Sequence, residues 1–323
     1  SLRVVATSSM RLASFSAATR WTSMLPVIEG QRRATPQAVA SYEVPKILAA
    51  DDPRFGLPTG AELSKLSLKQ MRSVLQPLLT TAPIEIGLVG DFDEQAAIDE
   101  VARTFGALPA RELDMPAYSD ARIAAVPKDP TTITLTHTGP VDQALVAIAW
   151  PTDDDRDSRE VMGLNLLADV LDLELTDALR ERLGATYSPS VSSNMSGVYR
   201  DFGFLTVSAV IAPDKTDEVE EAVAEAVRQL RDKPADPDVF ARALAPNLER
   251  IDRQQRENGY WLALVDEAQT RTDRLDRHRQ RKALYRSFTA EQMQALAQKY
   301  LGEDKRLSVR ILSDKLPSTM AAQ

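Results

Sequence analysis

Between Arg156 and Leu183 the apolar residues Val161, Leu164, Ala168, Leu171, Leu175 and Ala178 recur at alternating steps of three and four. That spacing places them on one stripe of a long amphipathic helix, which Gly184 then ends. So long a stripe needs an extended apolar surface to cover it, and strand signals stand on both sides. Thr131–Thr138 alternates Ile133 and Leu135 against threonines, and Ala144–Trp150 is an apolar run; with Gly139 and Pro140 between them the two read as an antiparallel pair. After the helix come a polar strand around Tyr187–Ser193 and an alternating strand over Phe202–Ile211, with Leu205, Val207, Ala209 and Ile211 on one face. Helices follow over Asp214–Arg231, from Pro237 onward and over Glu291–Leu301, and a strand over Leu307–Leu312 closes the series. The order ββαββ, helices, β predicts an α+β fold in which a mostly antiparallel sheet is covered by helices.

The first eighty residues read as helical and connective, with a polar stretch near Gln31–Pro36 and a turn-rich run, DDPRFGLP, over Asp51–Pro58. Leu63, Leu66, Met71, Val74 and Leu75 then recur at near-helical spacing, predicting a helix that ends near Pro83. Ile84–Val89 reads as a buried strand closed by Gly90 and Asp91. Asp93 is placed to cap a helix carrying Ala97, Ile98, Val101 and Phe105, with Gly106 and Pro109 as its stop. Pro116, Pro127 and Pro130 stand in a polar setting. A boundary there divides the chain into a partial α+β domain over 1–120 and a complete one over 121–323, since 323 residues exceed one comfortable core.

The chemistry of isolated enzymes is sparse in this sequence. A net charge of -8 argues against a general nucleic-acid binder, because phosphates call for a positive surface. No apolar run reaches the ~20 residues that span a bilayer, and Ser1–Met10 lacks the apolar core of a signal peptide. With no cysteine there is no thiolate ligand or nucleophile, and the cytoplasm and periplasm both stay open. His137 and His278, the two histidines, each lack a second histidine three or four residues away, so neither is expected to hold zinc. No serine elbow surrounds Ser190, Ser196 or Ser208, and no glycine-rich phosphate loop occurs. Asp153–Asp155 reads as a solvated loop at a helix start rather than a cation site. Arg271–Lys282, interleaved with Asp273 and Asp276, reads as an exposed helical face.

The segment LRERLGATYSPSV, Leu179–Val191, leaves the long helix and enters a strand; here the chain resembles the second half of pitrilysin and insulinase type zinc peptidases, the inverzincins. IEIGLVGDFDEQAAIDEVARTFGALPAR, Ile84–Arg111, and QALVAIAWPT before the long helix are similar to the same family. The likeness covers most of residues 50–312. It implies a chamber made of two similar halves, one holding zinc and the other offering an Arg and a Tyr to the substrate near the scissile bond. By resemblance these are Arg180 and Tyr187. On the residues alone the favoured reading is plainer, with Arg180 paired to a carboxylate and Tyr187 packed under the sheet; the resemblance reverses that preference.

The family's inverted zinc motif, H-x-x-E-H, is absent from this sequence. The resemblance therefore implies no cofactor in this chain, zinc in the complementary half, and inactivity of this chain alone. It also implies, as partners, that zinc-bearing half and a peptide substrate; the surface meant for that half makes a homodimer of the chain a side expectation. The polar Ser188–Ser196 region is equally readable as chamber lining or as a solvent-facing strand. A second reading is a structural or peptide-binding protein, because the family includes respiratory-complex core subunits without peptidase activity.

Overall fold

The computed structural model describes residues 21, 23–113, 117–129, 131–183 and 189–316. Contacts group the chain into two compact units that interleave in sequence. The larger comprises Ser1–Lys65, Ser119–Ala245 and Leu284–Gln323, the smaller Leu66–Tyr118 and Pro246–Ala283.

The larger unit holds a five-stranded sheet: β1 (Thr131–His137), β2 (Ala144–Thr152), β3 (Ser190–Met195), β4 (Gly203–Ile211) and β5 (Leu307–Ser313), in the order β1-β5-β2-β4-β3. Every pairing is antiparallel except β1 with β5. The α+β class and the mostly antiparallel sheet agree with the sequence reading. The direct β1–β2 pair does not form, because β5 lies between them. Burial gives the reason. All of β5 except Arg310 is buried, whereas threonine-rich β1 is largely exposed or half-buried. A strand buried on both faces belongs inside a sheet, and the exposed one is left at its edge.

Helix α1 (Pro36–Leu48) covers one face. Thr35 caps it by accepting the Ala38 amide at 3.1 Å, with Pro36 in the first turn, and Val39 packs with Leu145, Val309 and Ile311. On the opposite face Ala144, Val146, Ile148 and Trp150 of β2 stand across from Ile211, Ala209, Val207 and Leu205 of β4, all buried. The helices here are α5 (Ser158–Leu183), α6 (Thr216–Asp232) and, after those of the smaller unit, α10 (Ala290–Tyr300), which pack on one another. Val219, Val223, Val227 and Leu230 of α6 are buried as their spacing predicts.

One charged cluster is enclosed in this layer. Glu220 of α6 is buried; it accepts hydrogen bonds from Ser308 Oγ at 2.9 Å and from Arg310 Nε at 2.9 Å and Nη2 at 3.1 Å. Arg310 also reaches Asp217 at 2.7 Å. Ser308 and Arg310 lie opposite Ile148 and Val146, so they share the helix-covered face.

A second cluster sits where β2 gives way to α5. Asp154, buried, accepts from the Arg156 guanidinium at 2.7 Å and from the Asp201 amide at 2.9 Å. Burial alone would raise its carboxyl, but these hydrogen bonds outweigh burial and hold it below the ordinary value of 3.8. A depressed carboxyl stabilises the fold above its unfolded value and loses that contribution as pH falls through the folded one. The gap in thermal midpoint between wild type and Asp154→Asn should thus be constant above about pH 4 and shrink below it. A gap unchanged down to about pH 2 would contradict this assignment.

The smaller unit is helical: α3 (Leu68–Thr81), α4 (Glu94–Thr104), the latter part of α7 (Pro237–Gln254), α8 (Asn258–Val265) and most of α9 (Arg274–Ser287); a one-turn helix, α2 (Gly60–Leu63), precedes it in the larger unit. Asp93 caps α4 as expected, its Oδ1 accepting the Ala96 amide at 2.8 Å. The predicted strand over Ile84–Val89, in contrast, forms no ladder among the described residues. Its composition suits a strand, but a strand exists only against a partner edge, and every described strand belongs to the larger unit. Leu66, Met71, Val74 and Leu75, four of the residues at near-helical spacing, are exposed.

Candidate functional site

Asp157 starts α5 by accepting the amides of Arg159 at 2.8 Å and Glu160 at 3.2 Å. The predicted stripe is buried at Leu164, Ala168, Leu171 and Leu175, and burial extends past it to Leu166, Leu167, Val170 and Leu179, because α6 and α10 cover flanks that the sheet does not. This packing fixes the direction in which the helix end points. Arg180 and Arg182 lie in its last turn, where cations complement the exposed carbonyls.

Arg180 is exposed, with a carboxylate beside it: Asp177 at 3.6 Å, one helical turn back. Asp177 also faces Arg242 of α7 at 3.9 Å, and Arg242 faces Asp238 at 3.7 Å. All four side chains are about half exposed or more, a setting in which ion pairs hold their members loosely. The plain expectation of a carboxylate partner is thus met in weak form, and the guanidinium keeps donors facing water. Tyr187 lies outside the described residues, as does Ser188.

Beyond that segment, β3 presents Ser190, Ser192 and Asn194 to solvent and turns Val191, Ser193 and Met195 partly inward. Asp172 of α5 ties the start of this strand to the helix by accepting the Val191 amide at 3.1 Å. Burial pushes the Asp172 carboxyl above its usual range and nearby Asp169 adds to the effect, while the Val191 hydrogen bond works against both. The sequence reading did not single out Asp172. The signal was there, since it stands four residues after Ala168 and beside Leu171, at the rim of the buried stripe.

The donor set does not fit a zinc ion. His137 is fully buried with both ring nitrogens engaged, Nε2 with the Gln143 carbonyl at 2.8 Å and Nδ1 with the Gly139 amide at 3.1 Å. His278 Nδ1 is taken by the Tyr260 hydroxyl. In the acidic triplet Asp154 is neutralised by Arg156, and Asp153 meets Lys299 at 3.3 Å and the Tyr300 hydroxyl at 2.7 Å. Among the described residues no group of three or more His, Cys, Asp or Glu converges. The basic stretch is a helix whose cations meet acids, Arg277 with Asp273, Arg279 with Asp276 and Lys282 with Asp252, which leaves little field for phosphate.

Residues 65–247, more than half of the chain, match the family model described as the peptidase M16 inactive domain. The chain belongs to the peptidase M16 family. This agrees with the resemblance to insulinase-type peptidases and with a non-catalytic half. Solved structures share the fold at low identity. The M16 inactive domain from Pseudomonas fluorescens is 20% identical, with a TM-score of 0.70 over 94% of this chain and 72% of that one. A protease from Helicobacter pylori is 12% identical, with a TM-score of 0.73 over 91% and 72%. A chain of complex III2 from Candida albicans is 12% identical, with a TM-score of 0.65 over 95% and 74%. Comparison with curated proteins finds no significant match. Among the described residues of this M16 chain no helix is long and apolar enough to cross a membrane.

Proposed function

We propose that this M16 inactive domain is the substrate-clasping half of a zinc peptidase, presenting Arg180 and Tyr187 across a chamber to a zinc-bearing half that cleaves peptides. The observation that carries the reading is the family match together with an exposed guanidinium at the end of α5. A guanidinium stays charged at every working pH and donates in a fixed fork, so it suits a peptide carbonyl on which negative charge develops. A phenol nearby adds one directional donor. The buried stripe of α5 and the Asp172–Val191 bond hold the two ends of the segment between them. The partner half supplies the metal and its activated water.

The test is hydrolysis of a quenched peptide by this chain, by the zinc-bearing half and by their mixture, each with and without chelator. Chelator-sensitive turnover in the mixture, absent from this chain alone, is the expected result. Turnover by this chain alone would overturn it.

The likeness to a chain of complex III2 favours a second reading, a structural subunit without peptidase activity. The partner decides between them. A partner with an intact H-x-x-E-H favours the enzyme, and one without zinc ligands favours the scaffold.

A further inference from the structure

His137 ends β1 on the face that α1 covers, in line with Ile133 and Leu135 and opposite Ser313 of β5. It is fully buried, and its two hydrogen bonds fix the state of the ring. The Gln143 carbonyl can only accept, so Nε2, 2.8 Å away, carries a proton; the Gly139 amide can only donate, so Nδ1, 3.1 Å away, offers a lone pair. One form meets both demands, the neutral tautomer with its hydrogen on Nε2. A proton on Nδ1 would set two buried N–H groups against each other.

The turn that this ring holds is also a fastening. Thr138 donates its amide to the Arg33 carbonyl at 2.8 Å and its hydroxyl to the same oxygen at 3.0 Å, and Asp314 donates its amide to the His137 carbonyl at 2.9 Å. Gly139 sits so close to the stretch before α1 that a Cβ there would lie 2.3 Å from the Ala34 carbonyl oxygen. Three parts of the chain far apart in sequence, the residues entering α1, the β1–β2 turn and the residues leaving β5, thus meet around one imidazole.

We propose that His137 is a pH-operated latch, neutral when it fastens Arg33 and Ala34 to the β1–β2 turn and releasing them when it takes up a proton. The charged groups of the elements around it have other partners. Arg33 reaches Thr136 Oγ1 at 2.8 Å and Asp314 at 3.8 Å, Lys315 reaches the Gly139 carbonyl at 3.3 Å, and Asp142 in the turn is exposed. On α1, Glu43 pairs with Arg32 at 2.8 Å, Tyr42 lies under the same guanidinium, and Lys46 stands in the last turn. Arg310 of β5 faces the other side of the sheet with Glu220, and β2 has no titratable side chain. The closed turn accepts the neutral ring only. It is therefore favoured above the value of about 6.5 at which a free imidazole takes up its proton, and it weakens as pH falls through that range. Since the opened turn alone binds the proton, the opening constant should rise about thirtyfold between about pH 7.5 and about pH 5. The latch lies at β1, the edge of the sheet opposite β3.

Amide hydrogen exchange, corrected for the intrinsic effect of pH, reads the opening at Thr138 and Gly139, with the amides of β2 as the reference. Protection at these two residues should fall about thirtyfold over that span while protection in β2 holds. His137→Gln, which keeps a donor for Gln143 and cannot titrate, should show no such fall. Nitrogen-15 shifts of the ring in the wild-type chain keep the test independent of whether that variant folds: the Nε2–H tautomer should give way to imidazolium in step with the lost protection. Constant protection at Thr138 and Gly139 overturns the proposal, as does an equal loss throughout β2, which would mean that the whole unit loosens. A fall that persists in folded His137→Gln, or a ring that takes up its proton while the turn stays protected, overturns it too.

Discussion

Glu220→Ala should destabilise the larger unit by about 3 kcal/mol, the lower end of what breaking a buried ion pair costs. The substitution leaves the Arg310 guanidinium, whose side chain is 13% exposed, without the carboxylate that takes two of its hydrogen bonds, and it orphans the buried Ser308 hydroxyl. Asp217 remains within 2.7 Å of Arg310 and keeps the loss from being larger. Denaturant titration of the two proteins measures it. The double replacement Glu220→Leu with Arg310→Leu should recover much of the loss, because removing both charges costs less than stranding one. A single variant within about 0.5 kcal/mol of wild type would mean that water reaches Arg310 more freely than its packing shows.

Arg180→Ala should leave the isolated chain as stable as wild type and lower turnover of the reconstituted peptidase about 100- to 1,000-fold, the range for loss of one donor to a developing oxyanion. Stability is spared because Arg180 is exposed and its bond to Asp177 spans 3.6 Å at the surface. The loss should fall mainly on kcat, since the interaction strengthens as charge develops, and Arg180→Lys should restore little of it because an ammonium lacks the planar fork. Equal melting curves together with unchanged kcat would remove Arg180 from the mechanism.

What the sequence made legible follows from the range of the forces involved. The α5 stripe, the alternation in β4 and the Asp93 cap are local, set by residues within a few positions of one another, and each stands where its pattern placed it. The position of β5 is not local. Its neighbours β1 and β2 lie far back in the chain, and no turn signal near Gly139 and Pro140 records that a third strand will come between them. Ile84–Val89 shows the converse, a correct local pattern with no described strand to pair with. The interleaved units were hidden for a similar reason. The crossing at Tyr118–Ser119 falls in the stretch with Pro116 and Pro127, but the crossing at Ala245–Pro246 lies inside α7, where composition does not change. Of the candidate pair that the resemblance names, Arg180 stands exposed at a helix end, while Tyr187 lies outside the described residues. Asp172 escaped because a carboxylate in a helix reads as solvent-facing until the strand that it holds is known.

The insertion of β5 between β1 and β2 also sets a schedule for the nascent chain. β2, α5, β3, β4 and α6 can associate as soon as they leave the ribosome, since each meets neighbours already made. β1 cannot. Its hydrogen-bonding partner is translated after the other four described strands, so its threonines wait unpaired while these assemble, and the described sheet closes only when Leu307–Ser313 follows.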